Sequence, residues 1–154
     1  MSPASTSPRR VLAIGLGPFN LSLAALAPPL PDVELEVVES RDAFVWHPGM
    51  MLPGAQIQVP FLADLVTFAD PTSPYSFLAY LKAMGRLHRF YIRGSWYPLR
   101  REFSDYCAWV AAQLPGIAYA TTVTAVRWDD QADEFVVEAA SAAGTSTHRA
   151  DHVV

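Results

Sequence analysis

The run Val11-Leu12-Ala13-Ile14-Gly15-Leu16-Gly17-Pro18-Phe19-Asn20 constrains the fold more than any other stretch of this chain. Val11 to Ile14 is too short for a helix and has no polar alternation, so it reads as a strand buried on both faces, as in a parallel sheet. Gly15 and Gly17 permit a tight turn and close approach of the backbone to another group. Pro18 suits the first turn of a helix, where its missing N–H costs nothing, and Asn20 to Leu26 continues that helix. Strand, glycine turn and helix N-terminus together make an anion site, with unpaired N–H groups and the positive dipole end facing a phosphate. The pattern is G-x-G-x-x-N and not G-x-G-x-x-G, and taken alone it also fits an ordinary strand–helix turn.

A second strand, Val33 to Glu39, follows the Pro28-Pro29-Leu30-Pro31 turn. A β-α-β unit of this length places it beside the first strand. Glu39 closes the strand about 20 residues after the glycines, where dinucleotide folds place an acid on the adenosine ribose hydroxyls. A charged residue at a strand end is common, but Gly15, Gly17 and Glu39 at this spacing point to a Rossmann-like unit. An acid there suits a ribose with a free 2′-hydroxyl, so FAD or NAD fits better than NADP.

Composition narrows the rest. The chain has 154 residues, half of them hydrophobic, enough for one domain with a real core. A net charge of −4 argues against a general nucleic-acid binder. Cys107 is the single cysteine, which excludes a disulfide framework and a cysteine-rich zinc site. Residues 1–10 read as a flexible Ser/Pro-rich tail and not a signal peptide. No run approaches membrane-spanning length, so a cytoplasmic protein is the expectation.

Ser40 to Pro74 shows no helical or alternating period and carries Phe44, Trp46, His47, Met50, Met51, Gln56, Gln58 and Phe61. Such a loop is either a satellite core or a cofactor wall. His47 by itself reads as a packed core histidine, with no second histidine at metal-ligand spacing. A helix is expected from Ser76 to about Met84, capped by Gly85. Arg86 to Pro98 is aromatic and basic. Arg100 to Leu114 is the clearest helix, with Phe103, Tyr106, Cys107, Val110, Ala111 and Leu114 on one apolar face. Tyr119–Trp128, Glu134–Ala139 and Thr145–Arg149 read as an antiparallel meander. His152-Val153-Val154 reads as the opening of a further buried strand, so a longer protein is expected to continue from here.

Six stretches carry a resemblance. They are Gly15-Leu16-Gly17-Pro18-Phe19-Asn20-Leu21, Trp46-His47-Pro48-Gly49-Met50, Gln58-Val59-Pro60-Phe61-Leu62 with Asp64-Leu65, Asp70-Pro71-Thr72-Ser73-Pro74-Tyr75-Ser76-Phe77-Leu78, and Arg101-Glu102-Phe103-Ser104-Asp105-Tyr106. In these the chain resembles the N-terminal portion of the flavin-dependent N-hydroxylating monooxygenases, the lysine and ornithine N-monooxygenases of hydroxamate siderophore biosynthesis. That family has its own G-x-G-P-x-N turn, so the resemblance accounts for the absent third glycine.

The resemblance implies an α/β fold: residues 11–154 as a Rossmann-like FAD-binding domain with a parallel sheet, flanking helices and a small antiparallel meander, ending before the NADPH domain. It implies a bound FAD reduced by NADPH, whose site lies outside this chain, and transfer of one oxygen atom from O2 to a neutral primary amine. The flavin carries the chemistry, so no catalytic protein nucleophile is implied. By matching position, Gly15, Gly17, Pro18 and Asn20 line the FAD pyrophosphate and Glu39 the ribose. The segment ending in Trp46-His47 runs along the flavin, Gln58 approaches its ring, and Val123 offers a backbone contact to adenine. Partners are a small amine and O2, with no nucleic acid and no membrane; a homo-oligomer is open for the full-length protein.

One position departs from the family pattern. Lysine and ornithine hydroxylases typically show F-[IL]-K-D-L, whose lysine pairs with the substrate carboxylate. This chain has Phe61-Leu62-Ala63-Asp64-Leu65. A carboxylate left unpaired in a desolvated site costs several kcal/mol, so the expected substrate is a diamine such as putrescine or cadaverine. L-lysine or L-ornithine is the alternative, with Lys82 or a later arginine replacing the charge. A truncated non-catalytic flavin-binding remnant is the rival class. An NAD-dependent dehydrogenase leaves Trp46 to Phe61 unexplained.

Overall fold

The computed structural model describes residues 7–154, so residues 1–6 of the expected tail lie outside the described part. The described chain divides into two compact units, residues 7–16, 27–43 and 115–154 in one and residues 17–26 and 44–114 in the other.

The first unit holds two sheets. Strands β1 (Arg9–Ile14), β2 (Val33–Val38), β3 (Ile117–Ala118) and β7 (His152–Val153) form a parallel sheet in the order β3-β2-β1-β7. Its register pairs Leu12 with Glu36 on one side and with Val153 on the other. Strands β4 (Thr122–Asp129), β5 (Glu134–Ser141) and β6 (Gly144–Ala150) form the antiparallel meander. Leu12 and Val38 of the parallel sheet bury against Val137 and Ala150 of the meander, with Ile14, Val123 and Val153 around them. β1 begins at Arg9, two residues before the expected apolar start. Arg10 is held there by Asp151 and Glu134, both at 2.8 Å. Tyr119 does not continue the expected strand: Ala120 adopts φ 50° and separates β3 from β4.

The second unit holds four helices, α1 (Pro18–Leu26), α2 (Phe77–Ala83), α3 (Leu87–Arg93) and α4 (Arg100–Ala111), and the long loop. The expected apolar face is buried from Phe103 to Ala111; α4 ends there, three residues short of the expected bound, and Leu114 is buried just beyond it. Burial pushes the Tyr106 phenol and the Cys107 thiol well above their ordinary pKa values, so Cys107 is an unreactive core thiol. The Tyr106 hydroxyl donates to Tyr75 O at 2.7 Å and accepts from Leu65 N–H at 3.3 Å, tying the loop to α4. Ser76 caps α2 through Ala79 N–H, as its place in the sequence indicates. α3 was not expected. None of its residues is buried, so it has no apolar stripe to read; Gly94 at φ 65° ends it.

The loop has structure of its own. Ile57 N–H donates to Pro98 O at 3.0 Å, Arg100 N–H to Ala55 O at 2.8 Å and Phe61 N–H to Trp96 O at 2.8 Å. Ile57, Leu65 and Val66 are buried while Met50, Leu52, Gln58 and Val59 are exposed. The loop is therefore partly a satellite core and partly a wall.

Candidate functional site

In the first unit the site begins where the parallel strands end. β1 lies between β2 and β7, the point at which strand order reverses, and ligands of open α/β sheets bind outside the carboxyl ends of the strands at such a point. Gly15 follows β1 at φ 86°, a backbone setting that a side chain would strain. Its N–H donates to Val38 O at 2.7 Å.

Glu39 follows β2 and is 6% exposed. One carboxylate oxygen accepts Leu16 N–H at 2.7 Å; the other accepts Arg41 N–H at 2.8 Å and the Ser40 hydroxyl at 3.2 Å. Burial opposes its ionisation. The N–H groups of Arg41 and Leu16 and the Ser40 hydroxyl outweigh burial and hold the carboxyl below the usual glutamate range. A carboxylate has about four acceptor positions, so three protein donors leave room for a ribose hydroxyl. Glu39 thus also holds the glycine turn, a role that its spacing did not reveal. The Val123 side chain packs on the unit's core, beside a register shift in β4.

In the second unit Pro18 is the first residue of α1, with Leu21 N–H donating to Gly17 O at 2.9 Å. Gly17 has no positive φ, and a Cβ built there would meet no atom within 4 Å. The chain's own packing gives no reason for glycine at 17. Asn20 lies in the first turn of α1.

Trp46 and Gln58 come together in a groove of about 580 Å³, lined also by Met50, Gln56, Arg100 and Phe103. Phe103 meets the Trp46 ring edge-on at 5.2 Å, and the Arg100 guanidinium lies 4.6 Å over that ring. Arg100 Nε is buried with no hydrogen-bond partner. His47 is not a packed core histidine: it is exposed, at φ 41°, and its carbonyl starts a 3-10 turn over Pro48–Met50 by accepting Met50 N–H at 2.9 Å. Sequence reasoning missed Arg100. Its signal is a cation in the first turn of a helix, where the dipole disfavours positive charge.

Ala63 is half-buried, its N–H donating to Pro60 O at 2.9 Å. The next residue, Asp64, accepts Val66 N–H at 3.0 Å, Thr67 N–H at 2.7 Å, the Thr67 hydroxyl at 2.8 Å and Phe77 N–H at 2.7 Å. Its four acceptor positions are thereby filled. Among the described residues no group of three His, Cys, Asp or Glu side chains is placed to hold a metal, and no helix is long and apolar enough to cross a membrane.

Residues 9–154 match the family model described as L-lysine 6-monooxygenase/L-ornithine 5-monooxygenase. The chain belongs to this family. A putrescine N-hydroxylase of Acinetobacter baumannii is 44% identical over 127 residues, 82% of this chain and 28% of the relative. Among solved structures, an FAD-bound cadaverine monooxygenase of the desferrioxamine pathway from Erwinia amylovora superposes with a TM-score of 0.90 at 38% identity, over 96% of this chain and 35% of that one. An ornithine N-hydroxylase from Kutzneria sp. 744, in a complex with reduced FAD, NADP+ and L-ornithine, gives 0.88 at 37% identity, over 95% and 36%. The chain therefore spans about a third or less of the length of these relatives. Its parallel and antiparallel sheets and its helices are those of the FAD-binding N-hydroxylase fold.

Proposed function

We propose that the chain is the FAD-binding part of an NADPH- and O2-dependent monooxygenase that hydroxylates a primary amine for hydroxamate siderophore synthesis, and that the amine is a diamine. Two features of the residues fit the flavin nucleotide. Gly17 has open space in front of its backbone and no internal need for glycine, as a turn approached by a pyrophosphate requires. Arg100 Nε is a buried donor without an acceptor, a costly state that an oxygen or nitrogen of a bound ring relieves.

Bound FAD supplies the redox and oxygen chemistry. The chain's residues bind and shield it. Gly15, Gly17, Pro18 and Asn20 present the helix N-terminus to the pyrophosphate, and Glu39, ionised at neutral pH, accepts from the ribose. Trp46 and Phe103 give an apolar wall that excludes water, Gln58 a polar contact to the ring, His47 the turn that ends this wall, and Val123 a backbone contact to adenine. NADPH binds through the part of the relatives that this chain does not span.

The observation that carries the substrate reading is position 63. Ala63 has no charge for a carboxylate, and a substrate that lacks one leaves no carboxylate unpaired there. The 44% identity to a putrescine N-hydroxylase supports the same choice. Hydroxylamine formation by the flavin-loaded enzyme, compared between putrescine, cadaverine, L-lysine and L-ornithine, tests it. Diamines are expected to react; strong turnover of the amino acids with none of the diamines sinks the reading. A chain that takes up no FAD sinks the cofactor reading as well.

A further inference from the structure

One charged cluster of the second unit lies outside the residues assigned to flavin and amine. Arg86, Arg89 and Arg93 recur at spacings of three and four, which places them on one face of the α3 turn. In a chain of net charge −4, residues 86–101 hold five of its eleven Lys and Arg residues. Like charges at these spacings repel and need a counter-charge. Glu102, 5% exposed, supplies one: its oxygens take Arg86 Nη2 at 2.8 Å and Arg93 Nη1 at 3.5 Å.

Arg93 is fixed further, donating to Tyr97 O at 2.9 Å with its guanidinium 4.8 Å over the Phe90 ring. The Arg89 guanidinium has no ion-pair or hydrogen-bond partner among the described residues. The three arginines, Glu102, Phe90 and Leu99 line a cleft of about 360 Å³, within the range of small-ligand sites. Three guanidinium groups against one carboxylate leave two positive charges. Each guanidinium has five donors in a planar fork, so most of them stay open to a ligand.

We propose that this cleft binds a phosphoryl-bearing anion, with Arg89 as its principal partner and Arg86 and Arg93 oriented toward it by Glu102. A phosphate monoester or diphosphate carries about the two charges that are unbalanced, and its oxygens suit the bidentate fork. The cleft shares no residue with the glycine turn or with the Trp46 groove.

The test follows the backbone amide and arginine Nε–Hε resonances of the ¹⁵N-labelled chain during titration with pyrophosphate, inorganic phosphate and ADP, at ionic strength held constant with NaCl. Saturable shifts of Arg89, with Arg86 and Arg93, are expected. Arg89→Gln, which touches neither Glu102 pair, is expected to weaken them about tenfold, with an unchanged circular dichroism spectrum; Arg89→Lys falls between. ADP tighter than pyrophosphate assigns a nucleotide, and equal affinity assigns the phosphates alone. Shifts confined to Gly15–Asn20 would overturn the proposal while leaving the flavin reading intact. So would an absence of saturation, an Arg89→Gln variant that binds as well as the parent, or a polyglutamate peptide that saturates Arg89 where pyrophosphate does not.

Discussion

The Glu39 carboxylate accepts the N–H of Leu16 at 2.7 Å, so the acid that ends β2 holds the turn that leaves β1. Replacing Glu39 by Ala strips a buried N–H of its acceptor, an expected loss of about 1–3 kcal/mol in urea unfolding. Glu39→Gln, which keeps one acceptor oxygen, loses less. Both variants are expected to bind FAD at least tenfold more weakly by fluorescence titration, because the turn loses its anchor and the proposed ribose contact goes with it.

Acid exposes the same contact. The folded carboxyl titrates below its unfolded value of about 4.3, held there against burial by the N–H groups of Arg41 and Leu16. Its contribution is therefore present in full above that value and is lost as the pH falls through the lowered folded value. Thermal unfolding scanned from pH 7 to pH 3 should show a drop below about pH 4.5 that is smaller in Glu39→Gln.

The two glycines of the turn are expected to part company. Gly15 sits at φ 86°, so Gly15→Ala is expected to destabilise the fold by about 1–2 kcal/mol. Gly17 is under no such constraint and stands where an N-cap residue stands. Gly17→Ser should leave the melting temperature unchanged or slightly raised, while its added side chain lowers FAD affinity. Calorimetry and flavin titration on the two variants check the pair.

Arg100 predicts opposite signs for stability and binding. Its buried Nε has no partner, so Arg100→Met removes an unsatisfied donor and is expected to be neutral or to raise the midpoint of unfolding of the FAD-free chain. Flavin affinity of the same variant is expected to fall about tenfold. A variant that loses stability and keeps FAD affinity would contradict both parts.

At position 63 a lysine restores the cation of the family pattern. In the flavin-loaded enzyme Ala63→Lys is expected to lower KM for L-ornithine or L-lysine at least tenfold, since a desolvated carboxylate gains its pair, and to raise KM for putrescine by like-charge repulsion. Steady-state kinetics on the four amines measure the shift.

Regular elements were legible wherever burial imposes a period. β1, β2, the meander and α4 each present a buried face, and residues such as Leu12, Val38 and Phe103 mark it. α3 was not legible, because it buries nothing and leaves Tyr91 and Ile92 exposed. His47 illustrates the opposite error: beside Trp46 it resembles a core residue, yet the turn at φ 41° carries it outward.

The sequence by itself determined the dinucleotide turn, the acid at the end of the second strand and the missing charge at position 63. The first two are matters of residue type and spacing, which local stereochemistry suffices to read; the missing charge at position 63 is legible only against the pattern of the family that the chain resembles. Only the tertiary structure decided that Glu39 bonds to Leu16, that Arg100 lies over Trp46 with an unpaired Nε, and that two arginines, Arg86 and Arg93, share the buried Glu102. Those relations join residues distant in the chain. Their energies depend on burial and on which donor finds which acceptor, and folding alone sets both.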